Sequence, residues 1–391
     1  MRIALLVIDS GGIGPAPDSE AFGDKGANTI GHTATAVGGV DLPNLAAMGL
    51  TSLIDVYGTL PVIPQGVAYP VHPHANGKDT LAGHWEMMGL TVTTPFRTYP
   101  EGFPGDVVRQ LTAAWGREPL GNEAASGTEI IERLGAEHLA TGRPILYTSA
   151  DSVLQIAAHE EVVPLPVLYQ WCQKARDIMQ GPNLVGRIIA RPFIGEPGHF
   201  QRTANRHDYT VRPWSPTEVD GLLESGVQTV AIGKIGDIFS GQGFAQHLST
   251  SSNIDGLEKT LQVLEQDSQQ PQFIFTNLVE FDSHYGHRRN PAGYAQALKD
   301  LDQFLPRLWE RLTSGDQLWI TADHGCDPTY RGTDHTRETL PWLAWGRDLT
   351  PFVGRPRQTL ADIAATLAVL FDAPQIGDGL AAKELVEGAR R

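Results

Sequence analysis

The sequence predicts an α/β protein: a central, mostly parallel sheet flanked by helices, with a smaller α/β cap domain inserted into it. Three observations carry that prediction. Short unbroken apolar runs end abruptly in polar, chemistry-bearing residues, helical periodicity fills the intervals between them, and one long internal stretch is unusually rich in proline and glycine.

The first run is Ile3 to Ile8, closing on Asp9-Ser10-Gly11-Gly12. A strand buried on both faces of a parallel sheet needs no polar alternation, so this run reads as a strand followed by a functional loop. The same grammar recurs at Val227 to Ile232 before Gly233-Lys234, at Phe273 to Phe281 before Asp282, and at Gln317 to Thr321 before Ala322-Asp323-His324-Gly325. Ligands of open α/β sheets collect outside the carboxyl ends of the strands, so these polar residues are expected to share one edge.

Between the strands, Leu42-Pro43-Asn44-Leu45 opens a helix, Ile254 to Gln266 reads as another, and Gly293 to Leu312 as a third. At 391 residues the chain exceeds the size at which one core usually stops growing. The core is therefore placed at 1–95 and 214–391, with the cap at 96–213. The cap carries its own helix near Pro164 to Met179 and a strand pattern at Val185 to Ala190.

The formal net charge of −15, with no block of Lys or Arg, argues against nucleic acid as a partner. A small phosphate ester would meet the same repulsion, so a phosphate site needs local cations or metals to overcome it. Cys172 and Cys326 are the two cysteines and offer no disulfide framework, which points to the cytoplasm. The N-terminal apolar run is too short for a signal peptide or a membrane span. No obligatory protein partner is evident.

Asp9, Asp282, His287, Asp323, His324 and His335 are the candidate metal ligands, because each lies at or near the end of an apolar run or in a short polar loop close behind one. Mixed carboxylate and imidazole donors suit Mn, Zn, Fe or Co better than Mg or Ca. Two such ions about 3.5–4 Å apart can clamp the oxygens of a transferring phosphoryl group. Thr80 is the candidate nucleophile, since Gly77-Lys78-Asp79-Thr80 precedes a helix and a helix N-terminus stabilises phosphate. His32, His84, His159 and His207 are read as structural or supporting residues.

Ile8-Asp9-Ser10 with Gly12-Ile13-Gly14, Asn28-Thr29-Ile30-Gly31-His32, Gly77 to Gly89, Tyr147 to Pro164, Val185 to Gly198, Asn205 to Tyr209, Gly286-His287-Arg288-Arg289 and Thr321 to Glu338 together form a distinctive series. In order and spacing, over nearly the whole chain, it resembles the phosphopentomutases of the alkaline phosphatase superfamily. The resemblance implies an alkaline-phosphatase-like core that interconverts ribose or 2-deoxyribose 1-phosphate and the 5-phosphate through phospho-Thr80 and a 1,5-bisphosphate. It implies one metal at Asp9, Asp323 and His324 and another at Asp282, His287 and His335. Two Mn2+ ions are the expected cofactors, with Mg2+, Co2+ or Zn2+ as substitutes and a sugar bisphosphate as primer. Substrate contacts are expected at Ser149, Asp151, Arg187, Arg202 and Lys234.

Three positions depart from the family pattern: Gly11 replaces a bulkier residue, Cys326 stands where Asn is frequent, and Asn290 where Asp is usual. A soft thiolate at Cys326 would favour zinc and be open to oxidation.

Overall fold

A computed structural model describes residues 1–149, 152–266 and 268–389. The chain divides into two compact units, 1–94 together with 212–391, and 95–211.

The first unit is built on an eight-stranded sheet whose spatial order is Gln246–Leu248, Gln228–Ile232, Gln272–Leu278, Arg2–Ile8, Gln317–Ala322, Leu340–Trp345, Val67–Val71 and Phe352–Val353. The first five strands run parallel, and Leu340–Trp345 is antiparallel to both of its neighbours. Ile3 to Ile8 is buried throughout, as the unbroken apolar run requires. Ala4, Leu6 and Ile8 share an apolar core with the helices Asn253–Glu265 and Pro291–Trp309, so successive side chains serve opposite faces of the sheet.

Local chemistry sets the helix starts. Ser252 accepts a hydrogen bond from Asp255 N, Asn290 from Gly293 N and Asp79 from Ala82 N, each at a helix N-terminus. The helix opened by Leu42 spans Pro43–Met48 and stops at Gly49 in a left-handed conformation.

One expected strand is shorter than its apolar run. Gln272–Leu278 ends before Phe281, and a π-type turn spans Phe281–Gly286. Phe281 is apolar because its ring packs on Tyr294, with centroids 5.1 Å apart. Its burial comes from tertiary packing, which sequence periodicity cannot separate from strand burial.

The second unit has a sheet ordered Leu120–Ala124, Ile145–Thr148, Val153–His159, Arg187–Ile194 and Gln201–Arg202, with His207–Thr210 also paired to Arg187–Ile194. Val153–His159 and Arg187–Ile194 are parallel, and the helix Leu165–Ile178 lies between them in sequence. One face buries that helix with Gly105–Trp115, and the other buries residues of Gly127–Thr141. Among the described residues, no helix is long and apolar enough to cross a membrane.

Candidate metal centre and nucleophile

Sheet register assembles the site. Ile8 pairs with Leu278 on one side and with Ala322 on the other. Asp9 and Asp323, the next residues of two adjacent parallel strands, therefore emerge side by side at the carboxyl edge, and both are buried. Asp9 Oδ1 and Asp323 Oδ2 have no hydrogen-bond partner among the described residues. His324 Nε2 lies 3.5 Å from the first and 3.2 Å from the second. The other ring nitrogen, Nδ1, is 3.1 Å from the Gly325 carbonyl. A carbonyl only accepts, so Nδ1 carries the proton and Nε2 turns a lone pair towards two unsatisfied carboxylate oxygens. That donor set fits a divalent cation.

A second group repeats the logic. His287 Nε2 and His335 Nε2 lie 3.3 and 3.4 Å from the two Asp282 oxygens and 3.0 Å from one another. Their Nδ1 atoms donate to the Thr333 and Lys78 carbonyls at 2.6 and 2.8 Å. Both Nε2 lone pairs are thus aimed at one spot beside a carboxylate, and a proton or a cation must share it. The His324 and His335 rings stack with centroids 3.8 Å apart, joining the two groups.

The electrostatics describe a pocket short of positive charge. Burial, then the Asp323 and Asp282 carboxylates, hold the Asp9 carboxyl well above the usual carboxylate range. Asp282 is also buried, but His335 and His287 outweigh that and hold it well below. Burial lowers the His287 imidazole, yet Asp282 and Cys326 push it up to about 12.

Thr80 opens the helix Thr80–Met87, and its Oγ1 lies 3.2 Å from His324 Nε2. The hydroxyl therefore stands at the first cation group and in the first turn of a helix, where N–H groups lack intrahelical partners.

The description "metalloenzyme superfamily" belongs to the family model that matches residues 1–375. Phosphopentomutase of Carboxydothermus hydrogenoformans is 51% identical over 95% of this chain and 95% of its own. The phosphopentomutase of Alkaliphilus metalliredigens is 48% identical over 98% of this chain and 99% of its own. The chain belongs to the phosphopentomutase family. It is a mutase, and so an isomerase. Among solved structures, the phosphoglycerate mutase of Leishmania mexicana aligns with 96% of this chain and 96% of its own at 13% identity and a TM-score of 0.48.

Within this phosphopentomutase, Asp9, Asp282, His287, Asp323, His324, His335 and Thr80 come together in the first unit. Lys234 follows the Gln228–Ile232 strand after Gly233, whose φ of +77° needs glycine, and its charge is felt by Asp9. Ser149 follows the Ile145–Thr148 strand of the second unit, Arg187 begins Arg187–Ile194, and Arg202 lies opposite Phe193. Arg202 sits in a two-residue strand, Gln201–Arg202. Asp151 lies outside the described residues.

Sequence reasoning read His84 as a structural or supporting residue but left out Ser10, Asn277, Arg337 and Glu338. Ser10, held at a φ of +78°, donates from Oγ to Asp282 at 2.7 Å and from its amide to Asp323 at 3.2 Å. Asn277 Nδ2 donates to Asp9 at 3.1 Å, and His84 Nδ1 lies 3.2 Å from Asp323. Arg337 donates to the Ala75 and Gly77 carbonyls, pinning the segment that leads into Thr80. Glu338 accepts from Gly14 N, Thr29 N, Thr29 Oγ1 and Thr336 Oγ1, tying three separate loops together. Ser10 and Glu338 lie within the quoted motif runs, but no local signal gives them these partners.

Proposed function

We propose that this phosphopentomutase interconverts ribose or 2-deoxyribose 1-phosphate and the 5-phosphate with Thr80 as phosphoryl carrier. The observation that carries this reading is the Thr80 hydroxyl, 3.2 Å from a histidine nitrogen that also faces one unsatisfied oxygen on each of two buried carboxylates. Asp9, Asp323 and His324 would hold one divalent cation, and Asp282, His287 and His335 the other. When bound, such cations, manganese by family resemblance, supply positive charge for the oxygens of the transferring phosphoryl group.

Phospho-Thr80 is the resting form in this scheme. The bond from phosphorus to Thr80 Oγ1 breaks as a bond forms to the oxygen of the free hydroxyl of the bound pentose phosphate, whose proton ends on Thr80 Oγ1, giving a 1,5-bisphosphate. That bisphosphate then returns its other phosphoryl group to Thr80. The helix N-terminus at Thr80 favours the phosphorylated side chain. A sugar bisphosphate reprimes any enzyme that water has dephosphorylated.

Ser149, Asp151, Arg187 and Arg202, in the insert at 96–213, and Lys234, in the core at 1–95 and 214–391, are assigned to the sugar phosphate. Arginine matches a phosphate with a planar fork, and Lys234 with a point charge. Small pentose phosphates are the partners this reading requires. A cytoplasmic location, consistent with two unpaired cysteines, belongs to it as well.

The test is mass spectrometry of tryptic peptides after incubation with ribose 1,5-bisphosphate, run beside an assay of ribose 1-phosphate conversion. Phosphate on the Thr80 peptide and product without free phosphate are expected. Turnover with Thr80 never phosphorylated would overturn the mechanism, and phosphate release matching substrate loss would make the protein a phosphatase.

A further inference from the structure

The Asp323–Gly325 segment continues into Cys326, which is buried. Its amide donates to Thr29 Oγ1 at 3.0 Å, and that hydroxyl in turn donates to Glu338 at 2.6 Å, so the backbone here is held by buried bonds. The Sγ atom, a carboxylate oxygen of Asp282 and a ring nitrogen of His287 all lie within 4.8 Å of one another. Sγ has a long contact to the Asp334 carbonyl, at 3.7 Å.

Gly286 marks how closely the thiol is fitted to this place. A Cβ at position 286 would lie 2.9 Å from Cys326 Sγ and 3.0 Å from its Cβ. Glycine in the turn between Asp282 and His287 is what lets the thiol press against the segment that carries both. Nor does the thiol stand alone, because His287, which shares this group with it, has its Nε2 3.0 Å from His335 Nε2.

We propose that Cys326 is a further ligand of the cation site at Asp282, His287 and His335, and that it tilts this site towards thiophilic divalent cations such as zinc or cobalt. The inference rests on the reading of those three residues as cation ligands. A shell of one carboxylate oxygen, two imidazole nitrogens and one sulfur is the mixture zinc accepts in four-coordinate sites, whereas manganese gains little from sulfur. The sulfur–metal bond forms as the Sγ–H proton is released to solvent. Cys326 thereby sets metal preference at one of the two sites while Asp9, Asp323 and His324 present only oxygen and nitrogen.

The experiment is an anaerobic titration of the full chain with Co2+, followed in the near ultraviolet for the thiolate-to-cobalt charge-transfer band. The chain contains two cysteines, so the source of any band can be assigned. The unchanged protein and Cys172→Ser should show the band, and Cys326→Ser should lose it while keeping the visible cobalt bands. In competition dialysis, Cys326→Ser should lose about tenfold or more in zinc affinity, with manganese affinity changed less than about threefold.

Two bound Co2+ ions without the band in unchanged protein, or the band persisting in Cys326→Ser, would overturn the proposal and leave the six-residue cation reading standing. Failure to bind Co2+ at all would sink both. Should Cys326→Ser fail to fold, the band in Cys172→Ser decides, since Cys326 is then the sole thiol.

Discussion

Thr80 Oγ1 lies 3.2 Å from His324 Nε2, the same nitrogen that faces Asp9 and Asp323. A hydroxyl in that position shares its neighbourhood with every donor of the first cation group. Thr80→Ala should therefore abolish mutase turnover, by at least about a thousandfold, while the stoichiometry of bound Mn2+ is unchanged. Thr80→Ser, which keeps the oxygen, should retain measurable activity and accept phosphate in the peptide assay.

Proton competition should govern the second cation group. Asp282 and Cys326 push His287 up to about 12, so the imidazole carries a proton through the whole range from pH 6 to 9. A cation must displace it. Affinity should fall as pH falls, by about tenfold per pH unit for each proton displaced. Calorimetric titration with Mn2+ in buffers of different ionisation enthalpy counts those protons. His335→Ala should leave one strong site and weaken the other.

Chelation should destabilise the protein. The Asp9 carboxyl is held high by burial and by the neighbouring Asp323 and Asp282 carboxylates, a repulsion that bound cations relieve. Adding Mn2+ at about a hundred times its dissociation constant should raise unfolding free energy by about 2.7 kcal/mol per site. Urea melts with and without chelator would measure the difference, and equal midpoints would contradict the cation reading.

Glu338 binds its loops only because its neighbours are small. A Cβ at Gly12 or at Gly325 would overlap the Glu338 carboxylate. Gly12→Ala should cost about 1–3 kcal/mol through overpacking, read as a lower urea midpoint. It should also lower activity, since Gly12 lies three residues after Asp9.

Glu218 offers a pH test remote from the chemistry. Burial pushes its carboxyl from 4.5 up to about 8 although Ile376 N donates to it, and its Oε1 has no partner among the described residues. The folded state therefore resists ionisation of Glu218. The cost is absent below about pH 4.5, grows with rising pH, and is complete above about 8. Glu218→Gln keeps an acceptor for Ile376 N and should be the more stable protein at pH 9, by up to roughly 4 kcal/mol, with no advantage at pH 4.

Much of the fold was legible because its signals are local. Ile3 to Ile8 reads as a parallel strand from its own side chains, and Asp79 with Thr80 reads as a helix start from its own capping chemistry. Phe281 shows the limit, since burial on Tyr294 and burial in a strand leave the same apolar letter. Supporting residues such as Ser10 were hidden for a related reason. Ser10 and Asp282 are 272 residues apart, and neither announces the other.

By itself, the sequence determined which chemical groups this protein owns, namely carboxylates and imidazoles behind apolar strands and a threonine before a helix. Tertiary structure decided which of them meet. Pairing Ile8 with both Leu278 and Ala322 sets Asp9 beside Asp323, and the bridge between Gly325 and Thr336 folds the loop that carries His335 back on itself. Residue type and periodicity act over a few neighbouring positions, whereas strand partners and buried hydrogen bonds are chosen across the whole chain.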